Sequence, residues 1–144
     1  MGRYNEISEQ IIGAAIEVHR ALGPGLLESA YEECVAYELK LRGLHFQRQI
    51  PLPVIYKAVK MECGYRMDFV VKHLIVLELK TVEKILPIHE AQLLTYLKLT
   101  DIRLGLLLNF NVPVLKESIK RLPTSSKIPN LKLKNSLRLR VSAV

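Results

Sequence analysis

The apolar run Arg103–Phe110 is the feature that most constrains what this chain can fold into. A strand that is apolar on both faces has to be covered on both sides, as in the sheets of α/β proteins. Helices that could provide the cover are predicted over residues 6–22, Leu26–Arg42 and His89–Leu99. Pro87 stands just before the third helix, where proline is common in a first turn.

Further strands are predicted between the second and third helices and after Phe110. They are Phe46–Val54, Ile55–Val59, Tyr65–Val71 and Leu74–Lys80, while Val114–Arg121 reads as either a strand or a short helix. The first two contain or adjoin prolines, which indicates an edge position. The order of elements predicts an α/β fold with one mixed β-sheet flanked by α-helices.

The length of 144 residues fits one domain, which we place at residues 1–122. The remaining segment, 123–144, contains five Lys or Arg residues and no acid, so it holds most of the net charge of +7. It is predicted to be a basic tail that is either disordered or an added strand. A basic balance suits a polyanion such as nucleic acid, but a tail alone decides little.

Several classes of protein are excluded by composition. No apolar run reaches the roughly 20 residues of a membrane span, and the start of the chain has no apolar signal region. We therefore expect a cytoplasmic protein without a membrane partner. Cys34 and Cys63 lie far apart and form no CxxC pair, so they cannot supply an iron–sulfur cluster or an all-cysteine zinc site. We expect both to be reduced.

The candidate chemistry lies in the two strands Tyr65–Val71 and Leu74–Lys80. Residues two apart in a strand share a face, so Glu78 and Lys80 point the same way, roughly 6–7 Å apart. If the hairpin loop has an odd number of residues, Asp68 lies opposite Glu78 on that face. The motif therefore requires a three-residue or bulged turn at Lys72-His73.

Two carboxylates and a lysine in this arrangement suit metal-assisted hydrolysis. Asp68 and Glu78 could hold Mg²⁺ or Mn²⁺, both of which prefer oxygen ligands. A bound ion lowers the pKa of a water, and Lys80 could orient or help deprotonate that water. The alternative is an ordinary solvated strand face, because Glu-x-Lys is a common pattern.

Two helices add polar groups to this motif. Glu28 lies at the border of the apolar face of the second helix, where a carboxylate tends to be paired or bound to a metal. Gln92 and Tyr96 share one face of the third helix with His89, which suits holding a phosphate backbone. For each residue singly, an amphipathic surface is the simpler reading. His19 lies on an apolar stripe, where a hydrogen-bonded core histidine is commoner than a metal ligand.

The segment Gly25–Tyr31, preceded by Gly23-Pro24, resembles the signature of the GxxExxY family of the PD-(D/E)xK nuclease superfamily. Asp68 and Glu78-Leu79-Lys80 are similar to the acidic pair and lysine of the superfamily. Gln92 and Tyr96 resemble the Q-xxx-Y element of its exonuclease branch. The resemblance runs from about residue 5 to Leu122.

This resemblance implies a restriction-endonuclease-like core with Glu28 completing the acidic cluster. It also offers a metal-ligand role for His19, by similarity to a helix histidine of some exonuclease-branch members. We predict a Mg²⁺- or Mn²⁺-dependent DNase with Glu28, Asp68, Glu78 and Lys80 as catalytic residues. Action on RNA or on a small nucleotide stays open, as does a homodimer. The alternative from another class is a non-catalytic nucleic-acid-binding or assembly module that keeps the fold.

Overall fold

The computed structural model describes residues 2–124 of the protein. The helices are α1 (Gly2–Leu22), α2 (Glu28–Leu41) and α3 (Pro87–Thr100). The strands are β1 (Phe46–Pro51), β2 (Val54–Tyr56), β3 (Val59–Met61), β4 (Arg66–Val71), β5 (Ile75–Lys80), β6 (Leu104–Asn109) and β7 (Ile119–Pro123). A 3₁₀ turn (Leu115–Ser118) precedes β7.

Five strands form one mixed sheet in the order β1-β4-β5-β6-β7. β5 and β6 are parallel, and the other neighbours are antiparallel. All six residues of β6 are buried, which confirms the prediction that this strand is covered on both faces. β1 is an edge strand, as its proline indicated.

Helices cover the sheet from both sides. α1 and α2 pack on one face, where Ile11 and Val35 share a core with Leu77 of β5. α3 covers the other face, where Leu93 packs with Val76. The second core is tight, because a Cβ at Gly105 of β6 would lie only 2.9 Å from the Leu93 side chain. Glycine at that position lets α3 approach the sheet closely.

The main error of the sequence prediction is the single strand Ile55–Val59. The structure has a hairpin there, with β2 and β3 joined by a turn at Lys57 and Ala58, whose φ angles are 50° and 66°. Neither residue is one of the Gly or Asn residues that usually mark such a turn. β2 and β3 form a separate two-stranded sheet.

Other boundaries were close to the prediction. The segment Val114–Arg121, which was left open between helix and strand, contains the 3₁₀ turn followed by most of β7. Cys34 and Cys63 are both free thiols. Most of the predicted basic tail, residues 125–144, lies outside the described residues. None of the described helices combines the length and apolar character needed to cross a bilayer.

Candidate active site

The β4–β5 hairpin brings Asp68 against Glu78. Val71 pairs with Ile75, so the loop has three residues, which is the odd number that the motif requires. Continuing the same register places Asp68 across from Glu78. The main-chain N–H of Asp68 donates to Oε2 of Glu78 at 2.8 Å, and the N–H of Leu79 donates to Oδ2 of Asp68 at 2.8 Å. The two carboxylates are therefore interlocked with the backbone of the opposite strand.

These contacts form where the regular pairing of β4 with β5 ends. The last regular pair of the β4–β5 ladder is Phe69 with Leu77. Met67 packs in the α3-side core, whereas Phe69 packs in the opposite core, so the usual alternation of side chains is broken at Asp68. On the neighbouring edge strand, Gln49 has a φ of 50°. This local distortion leaves the carboxylates, instead of main-chain carbonyls, to accept the freed N–H groups.

Glu28 reaches the cluster from the first residue of α2. The loop before the helix is shaped by Gly25, whose φ of 101° favours glycine. The hydroxyl of Tyr31 donates to the Gly23 carbonyl and accepts from the N–H of Leu26 at 3.2 Å. The tyrosine thus fastens the loop to the helix one turn beyond Glu28. This gives a physical reason for the spacing of the glycine, the glutamate and the tyrosine.

The three carboxyl groups of the acidic cluster, Glu28, Asp68 and Glu78, all have raised pKa values. Burial, and then the charge of Asp68, raise the pKa of Glu78 well above its usual range. Burial also raises the pKa of Asp68 and that of half-buried Glu28. Lys80 acts on all three carboxyls in the opposite direction, and its effect is outweighed. A site of this kind is stabilised by an added cation.

Gln92 and Tyr96 of α3 lie beside the cluster. Burial, followed by the charges of Glu78 and Asp68, raises the pKa of the Tyr96 phenol to about 12. The Gln92 side chain acts on the pKa of this phenol in the opposite direction. His89, which shares their helical face, instead accepts the N–H of Leu86 through Nδ1 at 2.9 Å and so caps the helix.

Comparison with known protein families agrees with this arrangement. A model of the PD-(D/E)XK nuclease superfamily matches residues 5–122. The chain belongs to that superfamily. No curated protein and no solved structure gives a match. Members of the superfamily are typically dependent on a divalent metal and act on nucleic acid, and the restriction-endonuclease-like core is the observed mixed sheet with its helices.

The donor set fits the metal that PD-(D/E)XK nucleases typically use, although the side chains are not arranged around an ion. In the part of the chain that the structure describes, no three His, Cys, Asp or Glu side chains are positioned to hold one. One oxygen of Asp68 and one of Glu78 accept main-chain N–H groups. Oδ1 of Asp68 has only a long contact of 3.4 Å, from Gln49 Nε2. Hard carboxylate oxygens with raised pKa values suit Mg²⁺ or Mn²⁺.

His19 makes the contacts of a core histidine. Its Nε2 lies 2.9 Å from the Val112 carbonyl and 3.1 Å from the Phe110 carbonyl, and its ring packs near that of Phe110. This is the reading that the apolar stripe favoured. These contacts give no support to a metal role, and the site proposed below does not include His19.

Two residues near the acidic cluster, Glu32 and Gln49, were not predicted from the sequence as site residues. Glu32 lies one turn after Glu28, and its Oε1 accepts Gln49 Nε2 at 2.7 Å while its Oε2 accepts Arg48 Nη2 at 2.7 Å. Gln49 in turn contacts Asp68. The i, i+4 spacing of Glu32 from Glu28 was a signal in the sequence that Glu32 lies near the site. Nothing in the local sequence marks Gln49.

Asn109 is a third missed residue, and it supports the end of β5. Its Nδ2 donates to the Val82 carbonyl at 2.8 Å, and its Oδ1 accepts the N–H of Val82 at 3.1 Å. Phe110 N–H donates to the carbonyl of Lys80 at 2.8 Å. The chain on the far side of Lys80 is thereby fixed to the end of β6. The signal in the sequence was an asparagine near the end of an apolar run. Such a residue is buried here, and a buried amide needs hydrogen-bond partners.

Proposed function

We propose that this protein is a nuclease that hydrolyses phosphodiester bonds of DNA with Mg²⁺ or Mn²⁺. The observation that carries the proposal is the interlocked pair of Asp68 and Glu78 beside Lys80 and half-buried Glu28. Three carboxyls with raised pKa values are costly for a folded protein. Binding of a divalent cation and a phosphate at this site explains why the carboxyls are clustered in spite of that cost.

In this proposal Asp68 and Glu78 hold the metal, and Glu28 binds a second metal or a water. When bound, the ion would supply a more acidic water and would offset negative charge on the phosphate oxygens. Lys80 orients the attacking water and adds positive charge on the same side. It is suited to this because its charge acts on all three carboxyls.

Gln92 and Tyr96 hold the scissile strand. With a pKa of about 12, the Tyr96 phenol keeps its proton at neutral pH and can donate it in a hydrogen bond to a phosphate oxygen. The Gln92 amide orients that phenol without adding charge. Neutral donors are useful here because further cations would compete with the metal for the carboxylates.

We also assign the chain to the GxxExxY branch of the superfamily. The assignment rests on Gly25, Glu28 and Tyr31 and on the hydrogen bonds by which Tyr31 fastens the loop before Glu28. In this assignment the tyrosine is a positioning residue, and the glutamate is the group that it positions.

A non-catalytic module that binds nucleic acid is the second candidate. The observation that favours it is that, over residues 2–124, no three potential ligand side chains are positioned around an ion. Such a module would bind a polyanion in a salt-dependent way without cleaving it. Clustered carboxylates, however, oppose the binding of a polyanion unless a cation is present.

Cleavage assays separate the two candidates. Labelled single-stranded DNA, duplex DNA and RNA are incubated with the protein in Mg²⁺, Mn²⁺ or EDTA. We expect metal-dependent products and losses of about 100- to 10,000-fold in Asp68→Asn and Lys80→Ala. Lys60→Ala, on exposed β3, is the matched control and should stay within about twofold of wild type.

The Asp68→Asn variant is chosen because the amide oxygen can still accept the N–H of Leu79, so the fold should survive. Cleavage that persists in folded Asp68→Asn would contradict the catalytic assignment. DNA binding without cleavage by the wild-type protein, in every metal, would select the binding module.

A further inference from the structure

An open groove of about 430 Å³ adjoins the acidic cluster. Its apolar part is formed by Leu52, Val54 and Leu99, and its polar edge by Gln92, Thr95 and His89. The volume lies within the roughly 300–1,000 Å³ that is common for small-molecule sites. Of the residues that line this groove, the proposed hydrolysis uses only Gln92 and Tyr96.

Two residues of α3 line the groove and also lie beside the acidic cluster. Gln92 and Tyr96 line the groove, and Tyr96 packs in the α3-side core with Met67, which precedes Asp68 on β4, and with Val76, which shares a strand face with Glu78 on β5. A molecule in the groove therefore contacts the residues of α3 that face the carboxylate-bearing strands. This continuity points to the substrate strand itself as the occupant.

The wall of the groove carries an exposed ring. Tyr65 lines the groove, and 45% of its surface is accessible to solvent. Its carbonyl accepts the N–H of Leu52 at 2.8 Å, which fixes the backbone under the ring.

A flat molecule with apolar faces and a polar edge matches these surfaces. Nucleobases have this character, and they stack on aromatic side chains when the strand is unpaired. A base inside a duplex is stacked on its neighbours and cannot enter a groove without leaving the helix. Occupancy by a base thus implies a preference for unpaired strands.

We infer that the groove binds an unstacked nucleobase next to the phosphate to be cleaved, with Tyr65 as its stacking platform. The site then prefers single-stranded or frayed DNA to intact duplex. The inference deepens the proposed function and rests on it for the position of the scissile phosphate. Base binding itself is measurable without any cleavage.

The test uses the full chain and short oligodeoxynucleotides that contain one 2-aminopurine, with Ca²⁺ in place of Mg²⁺ to limit cleavage. Stacking on Tyr65 should quench the fluorescence of 2-aminopurine in the single strand. Tyr65→Ala should weaken single-strand binding about 5- to 150-fold, since one stacked base contributes roughly 1–3 kcal/mol. Tyr65→Phe keeps the ring and should bind within about twofold of wild type.

Tyr37→Ala is the matched control, because Tyr37 is a comparably exposed tyrosine (63%) on α2 and does not line the groove. Equal losses of single-strand and duplex binding in Tyr65→Ala would overturn the inference. So would equal losses in the Tyr37 and Tyr65 variants, or a groove covered by a second copy of the chain in a stable dimer.

The result also separates this inference from the proposed function. Quenching that depends on Tyr65, in a protein that never cleaves, would support the groove and contradict the nuclease. Metal-dependent cleavage that favours duplex and ignores Tyr65→Ala would support the nuclease and contradict the groove.

Discussion

The β4–β5 and β2–β3 hairpins have similar turns, but they differ in strand length, in burial and in the sheet to which they belong. Both turn at two successive non-glycine residues with positive φ, Lys72-His73 between β4 and β5 and Lys57-Ala58 between β2 and β3. The β4–β5 hairpin has six-residue strands in the middle of the five-stranded sheet. The β2–β3 hairpin has three-residue, mostly exposed strands in a sheet of its own.

This difference matches what each hairpin carries. Carboxylates that repel each other have to be held by a rigid frame, and β4–β5 is packed on both faces. A two-stranded hairpin is marginally stable on its own. β2–β3 carries no member of the acidic cluster and contributes only Val54 to the groove. Substitutions of the same kind in the two hairpins should therefore have unequal effects.

The largest difference in stability is expected for a pair of methionines. Met67 of β4 is fully buried, whereas Met61 of β3 is 40% exposed. Met67→Ala should lower the free energy of unfolding by about 2–5 kcal/mol, because it leaves a cavity in the α3-side core. Met61→Ala should change it by no more than about 0.5 kcal/mol. Urea denaturation of both variants measures this, and similar losses would show that β2–β3 is as firmly packed as the central sheet.

A smaller and opposite effect is expected for the buried acid. Glu78→Gln should stabilise the metal-free protein by about 1–3 kcal/mol at neutral pH, since it removes a poorly solvated charge and can still accept the N–H of Asp68. Glu62→Gln, at an exposed position after β3, should have an effect within about 0.5 kcal/mol. Thermal unfolding of the two variants, with and without Mg²⁺, measures the difference.

The pH dependence of the Glu78 effect has a definite sign. Because the pKa of Glu78 is raised in the folded state, that state binds more protons than the unfolded chain. Wild-type stability therefore falls as pH rises from the unfolded pKa, near 4.3, through the higher folded pKa. The advantage of Glu78→Gln should grow over that window and vanish below it. Stabilisation by Mg²⁺ should be larger for wild type, and an advantage that does not depend on pH would contradict the electrostatic account.

The same contrast explains how much could be predicted from the sequence. The register of β4–β5 was predicted as a condition, that Asp68 lies opposite Glu78 if the loop has an odd number of residues, and the three-residue loop meets it. The covered strand β6 was predictable from its unbroken apolar run. Such patterns exist only where a strand is buried.

The missed features depend on geometry that the residues do not mark. The turn of β2–β3 uses Lys57 and Ala58 at positive φ, so the hairpin was taken for one strand. Gln49 contacts the acidic cluster through its own positive φ and its place opposite Asp68 in the β1–β4 register. Contacts of this kind join residues that are distant in the chain, and one sequence does not pair them.

The smallest expected effect concerns the turns. His73 has a φ of 59°, a conformation that costs an L-residue roughly 1–2 kcal/mol. Glycine avoids this cost, but it loses part of the gain because its unfolded chain has more conformational entropy. His73→Gly should therefore stabilise the protein by about 0.5–1 kcal/mol in urea denaturation. Ala58→Gly relieves a similar strain at a φ of 66°, but we expect a gain below about 0.3 kcal/mol, because a small exposed hairpin can open before global unfolding. Equal gains would mean that β2–β3 unfolds together with the sheet. Destabilisation by His73→Gly would mean that the histidine side chain, and not the backbone, holds the turn that sets Asp68 against Glu78.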